Sequence, residues 1–223
     1  MPDAPVDQPA VLTLLATSVG RPVALGRANG TTVLSAIAKQ PATAATLHLD
    51  ALNLTGDDQA DRTVHGGVDK SVYAYPSEHA AWWRHELGVE LGPAGMGENL
   101  TTAGLDEHDV HLGDRFRWGD ALVEVSQPRS PCFKLALHLG RPDVLKAMTR
   151  SARSGWYLRT IEPGAVPTTG ELVRTRHDPH QPTVHQVFST SFSRDPDLDL
   201  LDRILRSPHL ADQWADALGG RRG

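Results

Sequence analysis

The sequence predicts a mainly β (α+β) fold, a β-barrel with flanking helices followed by a small C-terminal three-helix domain. Three observations carry this expectation. Between residues 11 and 176 many short runs rich in β-formers are separated by glycine-bearing turn signals. Two segments of helical periodicity interrupt those runs. Beyond a break at His177-Asp178-Pro179-His180-Gln181-Pro182, which has two prolines and no apolar residue, the pattern stays helical.

Taken in order, residues 1–10 carry three prolines and two aspartates and read as a disordered N-terminal segment. The barrel domain is assigned to residues 11–176, with strands predicted over 11–19, 31–36, 46–54, 71–75, 115–118, 122–126, 156–161 and 171–175. Gly119-Asp120, set between two alternating runs, marks a hairpin. A helix over 77–87 places Ala80, Trp83 and Leu87 on one face and stops at Gly88, and a second over 142–153 starts with proline. Residues 177–182 form the linker and 183–223 the three-helix domain. Its helices are predicted over 183–188, from the Asp195-Pro196 cap to 206, and from the Ser207-Pro208 cap to 218. Val184, Val187, Leu201, Ile204, Leu205, Leu210, Trp214 and Leu218 give them a shared apolar face, which docks on the barrel or on a second copy in a homodimer.

Composition narrows the function. Lys and Arg total 22 against 27 Asp and Glu, a net charge of −5, so no basic field draws in nucleic acid or an anionic membrane. No run approaches the roughly 18 apolar residues of a membrane helix, and the opening residues lack the pattern of a signal peptide. A soluble cytoplasmic protein is the expectation. With one cysteine, neither an internal disulfide nor a cysteine-held zinc or iron-sulfur site can form within the chain. Any redox chemistry must draw its electrons from elsewhere.

That cysteine, Cys132, follows Pro128-Arg129-Ser130-Pro131. Ser130-Pro131 reads as an N-cap and first helical position, which puts Cys132 in the first turn of a helix carrying Phe133, Leu135, Ala136 and Leu139. The helix dipole and Arg129 both favour a thiolate there, suited to a nucleophile or a metal ligand. A lone cysteine is more often a small buried hydrophobe, but arginine, serine and two prolines are poor core company.

Two further segments carry candidates. In residues 57–70, Arg62, His65 and Lys70 surround the pair Gly66-Gly67, whose open backbone N–H groups could cradle a phosphate; a solvated surface loop is the plainer alternative. In Gly95-Met96-Gly97-Glu98-Asn99-Leu100-Thr101, the glycines permit close approach of a ligand and Asn99 offers donors and an acceptor to a heterocycle. A glycine turn entering a strand explains the same residues. The pairs His108/His111 and His177/His180 invite a zinc reading, but they lie in apparent loops beside prolines and charges and read as solvated histidines. A Cys132–His65 nucleophile pair is possible on residue type alone.

The motifs His65-Gly66-Gly67-Val68-Asp69-Lys70, Gly97-Glu98-Asn99-Leu100-Thr101 and Pro128-Arg129-Ser130-Pro131-Cys132, in this order and spacing, resemble the MOSC (molybdenum cofactor sulfurase C-terminal) domain family. The likeness runs over residues 36–171, with a matching helical tail. Met96 stands where a larger aromatic or leucine is usual, and Ser71 where alanine is. The resemblance implies a MOSC-type barrel binding the molybdenum cofactor (Mo-molybdopterin), with Cys132 as the metal ligand and catalytic thiolate. It further implies that Arg62, His65, Gly66, Gly67, Lys70, Asn99, Arg129 and Ser130 bind the cofactor. The implied activity is reduction of N-hydroxylated compounds such as hydroxylaminopurines, with electrons from a separate flavin or iron-sulfur protein. The competing readings are a sulfur-carrier or cofactor-transfer module without its own turnover, a cysteine hydrolase, and a structural fold with an inert thiol.

Overall fold

The structure, a computed structural model, describes residues 10–58 and 67–221. Twelve strands and six helices follow one another: β1 (Val11–Val19), β2 (Val23–Ala28), β3 (Thr31–Ser35), β4 (Gln40–Pro41), β5 (Thr46–Leu49), β6 (Val72–Pro76), α1 (Ala80–Leu87), β7 (Leu100–Ala103), β8 (Arg115–Trp118), β9 (Ala121–Pro128), α2 (Phe133–Leu139), α3 (Val144–Ser151), β10 (Trp156–Glu162), β11 (Gly164–Pro167), β12 (Gly170–Arg176), α4 (Val184–Phe192), α5 (Leu198–Leu205) and α6 (Asp212–Gly219). Strands β12-β8-β9-β10-β6-β7-β1 pair in that order, and β12 pairs again with β1, closing a seven-stranded barrel. Among the described residues only β6 with β7 is parallel.

Alternation decides which side chains fill the barrel. Leu12 and Leu14 of β1, Val72 and Ala74 of β6, Phe116 and Trp118 of β8, Val123 and Val125 of β9, and Trp156 and Leu158 of β10 form one buried cluster. Burying each larger apolar side chain contributes on the order of 2 kcal/mol. The intervening positions point outward. On β6 these are Tyr73 and Tyr75, and on β10 Tyr157, which lies opposite Tyr73 in the register. They are covered by α1, α2 and α3 through Trp83, Leu87, Leu135, Val144, Ala147 and Met148, so β6 is buried on both faces.

The same outer cluster continues into Val187, Phe188, Leu201, Ile204, Leu210, Trp214 and Leu218 of the C-terminal helices. Their predicted apolar face is therefore covered within the chain, leaving Phe192 and Leu198 as their large exposed hydrophobics. Backbone hydrogen bonds reinforce the docking: Leu112 N–H donates to the Pro182 carbonyl at 3.0 Å, Val184 N–H to Val110 at 2.9 Å, and Ala211 N–H to Ser126 at 3.1 Å. Among the described residues no helix is long and apolar enough to cross a membrane.

Several boundaries differ from the sequence expectation. The strand predicted over 46–54 ends at Leu49, because Asp50 Oδ1 accepts from the N–H groups of Leu52 and Asn53 and bends the chain. The strands β2, β4, β7 and β11 were not predicted. Predicted helix starts come early throughout: Asp197, not Asp195, caps α5, and α6 begins after Ala211, with Ser207-Pro208 forming the preceding turn. The first C-terminal helix runs to Phe192 rather than 188, from Thr183, which forms a capping box with Gln186.

Candidate functional site

Cys132 faces a cleft at the junction of the barrel wall and α2, whose lining includes Ile37, Lys39, Asp58, Tyr73, Gly97, Arg129, Lys134 and Tyr157. Strand β9 ends at Pro128 opposite Trp156, Arg129 N–H donates to the Gly155 carbonyl at 3.4 Å, and the chain then leaves the sheet. Cys132 is the N-cap of α2, with extended angles (φ −139°, ψ 153°), and its carbonyl accepts from Leu135 N–H at 3.0 Å. This corrects the sequence expectation that Ser130 caps the helix with Cys132 inside the first turn. Proline pushes the residue before it toward extended backbone, and here the extended stretch outlasts Pro131 by one residue. The thiol is partly exposed at this position, while Leu135, fully buried, fixes the helix to the outer core.

Arg129 is held inside the wall. Its Nη2 lies 4.0 Å from Cys132 Sγ, its Nη1 3.8 Å from Met148 Sδ, and its guanidinium carbon 5.3 Å from the centroid of the Tyr73 ring. Burial works against the charge, yet the groups that face it, Tyr73 foremost, hold it above the ordinary arginine value. Tyr73 and Tyr157 stand side by side with ring centroids 5.2 Å apart. Burial raises both hydroxyls above the ordinary phenol range, so they present neutral O–H groups; that of Tyr73 donates to the Ser154 carbonyl at 2.8 Å.

A second cation comes from Lys39, just before β4. Its Nζ lies 2.5 Å from Asp57 Oδ1, both side chains nearly buried, and the same oxygen accepts from Gly20 N–H at 2.8 Å. Asn99 completes the chain: Nδ2 donates to Asp57 Oδ2 at 2.9 Å and to the Ser18 carbonyl at 3.1 Å, while Oδ1 accepts from Tyr73 N–H at 3.1 Å. Asn99 thus positions Asp57, and through it Lys39, with its own side chain engaged within the fold. Gly97 is required here. Its φ is +82°, and an added Cβ would stand 2.4 Å from an Ile37 carbon, so the close approach is that of Ile37.

Of the predicted site residues, the structure brings together Cys132 and Arg129. Asn99 lies behind the cleft. Ser130 is exposed and does not line it. Gly67 precedes the short 3₁₀ turn Val68–Lys70, and Lys70 directs Nζ to Gln213 Oε1 on α6, away from the lining. Arg62, His65 and Gly66 lie outside the described residues. Sequence reasoning missed Lys39, Lys134, Tyr73 and Tyr157. Lys134 was signalled by its place two residues after Cys132; Tyr73 and Tyr157 were legible only as outward positions of predicted strands, and Lys39 had no local signal. The departure at Ser71 has a structural use, since its hydroxyl donates to the Ala51 carbonyl at 2.9 Å.

Comparison with known proteins finds a family model described as MOSC domain matching residues 61–174. The chain is 39% identical to Protein YiiM of Escherichia coli (strain K12) over 182 residues, 79% of this chain and 80% of that one. It is 33% identical over 218 residues to a protein of Gibberella moniliformis named Reductase, covering 96% of this chain and 37% of that longer protein. The crystal structure of YiiM from Geobacillus stearothermophilus superposes with a TM-score of 0.79 at 28% identity, covering 95% of this chain and 100% of that one.

Proposed function

The chain belongs to the MOSC domain family, and on that premise we propose that it is a molybdenum-cofactor-binding oxidoreductase that reduces N-hydroxylated compounds. The observation that carries the reading is the company of the single thiol: among the described residues Lys39, Arg129 and Lys134 line its cleft with one carboxylate, Asp58, while Lys39 is itself paired with Asp57. A lone thiolate with no imidazole and no second sulfur among the described lining residues is a poor cage for a bare ion, which takes three or four protein ligands. It suits a soft metal that arrives in its own chelating group, and the excess of cations suits the phosphate such a group carries.

When bound, the molybdenum cofactor supplies two-electron chemistry at the oxygen of the substrate. The overall reaction is R–NHOH with two electrons and two protons giving R–NH2 and water. Cys132 Sγ is the protein's metal ligand. Arg129 fixes the charge beside it, and Lys39, held by Asp57, adds a second cationic group to the lining. Lys134, which lines the same cleft, would supply a proton to the substrate oxygen. Arg62 and His65, four and seven residues after Asp58 in the sequence, serve the phosphate with Gly66 and Gly67, while Lys70 is engaged with Gln213. Because the chain has one cysteine, the electrons come from a separate flavin or iron-sulfur protein. The Gibberella protein named Reductase has nearly two-thirds of its length outside the match.

The test is expression in cells that make the cofactor. Near-stoichiometric molybdenum and turnover of a hydroxylaminopurine with an artificial donor support the reading, and Cys132→Ser should abolish both while changing stability by less than about 1 kcal/mol, since the thiol is partly exposed. Molybdenum without turnover points instead to a carrier or transfer module, and full molybdenum-dependent turnover by Cys132→Ser sinks the assignment of the ligand.

A further inference from the structure

The fold pairs the loop histidines differently from their order in the sequence. His108 stacks on His185 with centroids 3.9 Å apart, and His111 meets His177 with centroids 4.7 Å apart and planes at 80°. The second pair converges on Asp114, whose side chain is fully buried. One ligand atom from each of His111, Asp114 and His177 lies within 4.8 Å of the others.

We propose that His111, Asp114 and His177 form a second metal site, separate from the Cys132 cleft, that takes a borderline divalent ion such as Zn2+ or Co2+. Two imidazoles and a carboxylate are the ligand set of open zinc sites, with water in the fourth position. Tetrahedral bonds of about 2.1 Å put neighbouring ligand atoms roughly 3.4 Å apart. The His177 Nδ1 to Asp114 Oδ1 separation is 2.9 Å and no separation in the trio exceeds 4.8 Å, so binding draws imidazole inward by at most about 1.4 Å.

The surroundings arrange the carboxylate for one-oxygen binding. Asp114 Oδ2 is taken by His111 N–H at 3.1 Å and by Arg174 Nη1 at 3.3 Å, which leaves Oδ1 toward His177. Arg174 opposes a cation by charge, but it also reaches the Asp109 carbonyl at 3.2 Å and approaches from the Oδ2 side. His111 Nδ1 faces that carbonyl at 3.3 Å; donating its proton there leaves the ring's lone pair on Nε2, the outer-shell device that orients metal-binding histidines. The bound ion would pin His177, directly after β12, to the turn that enters β8. That is the point where residues 177–182 depart for α4, and where Leu112 and Val184 already hydrogen-bond across.

The experiment is titration of the metal-stripped full chain with Co2+ and Zn2+. One equivalent should bind, raise the thermal midpoint, and give a visible Co2+ spectrum without thiolate charge transfer. Cys132→Ser should leave that equivalent in place. His177→Gln, whose amide can still hydrogen-bond Asp114 at a partly exposed position, should weaken it by about tenfold or more, and His111→Gln/His177→Gln should abolish it with circular dichroism unchanged. Binding that survives both His variants, or that disappears with Cys132→Ser, would overturn the proposal, as would the absence of any bound equivalent at micromolar Co2+.

Discussion

Arg129 lays its guanidinium between Cys132 and Tyr73, with Nη2 4.0 Å from the thiol sulfur and Cζ 5.3 Å from the ring centroid. One planar cation therefore serves two neighbours, and a lysine cannot copy it: an ammonium keeps the charge but loses the plate over the ring and the contact with Met148. Arg129→Lys should cost about 1–2 kcal/mol in denaturant unfolding, the range for a desolvated cation over an aromatic face. It should also lower molybdenum retention in the holoprotein. A variant with wild-type midpoint and metal content would show that only the charge matters.

Asn99 separates a ligand from a positioning role. As a cofactor ligand it would cost affinity on removal and little stability. Its three side-chain hydrogen bonds, to Ser18, Asp57 and Tyr73, predict the reverse balance. Asn99→Ala should destabilise the apoprotein by about 3 kcal/mol, because it leaves buried groups unpaired. Asn99→Asp should be worse above the carboxylate range, since it sets a second negative charge where Nδ2 stood 2.9 Å from Asp57. An apoprotein midpoint unmoved by Asn99→Ala would return Asn99 to the list of direct ligands.

Glu98 gives the fold a pH signature. Its side chain is almost wholly buried, and although it accepts from Met96 N–H and Thr101 Oγ1, burial wins and raises its pKa above the ordinary carboxyl value. A carboxyl with a raised folded pKa binds more protons in the native state than in the unfolded one. Its contribution is fully present below the unfolded value and is lost as pH rises through the folded one. Wild-type stability should therefore fall relative to Glu98→Gln as pH rises from about 4.5 through the raised folded value. Parallel unfolding free energies for the two proteins across that window would refute it.

The barrel was legible because its strands announce themselves by alternation: the outward tyrosines and inward aliphatics of 72–75 are a two-residue period that survives burial on both faces. Asn29-Gly30, both at positive φ, also carries a hairpin signal for β2 and β3. Helix starts predicted at Pro131, Pro196 and Pro208 fall early because proline marks the approach to a helix as readily as its first turn. The thiol and Arg129 lie three residues apart, so their meeting was visible locally. The Lys39 cation and the His111–His177 encounter join residues 18 and 66 apart in sequence, and only closure of the barrel brings such partners together.

Lys39 and Asp57 form the most consequential of those distant pairs. Their 2.5 Å ion pair has side-chain exposures of 8% and 2%, so neither charge has water to fall back on. Removing one partner strands the other: Lys39→Met should cost about 3–5 kcal/mol, the range for a buried pair broken on one side. Lys39→Met/Asp57→Asn should recover part of that, because the lone carboxylate goes while the amide oxygen can still accept from Gly20 N–H, although the amide nitrogen then faces the Asn99 Nδ2 donor. The double variant also isolates the cation's role in the cleft. If Lys39 acts on the bound phosphate, the double variant folds yet binds less molybdenum cofactor. Equal cofactor content in the double variant and the wild type would make Lys39 a structural residue, whereas a double variant no more stable than Lys39→Met would show that the penalty does not come from a stranded charge.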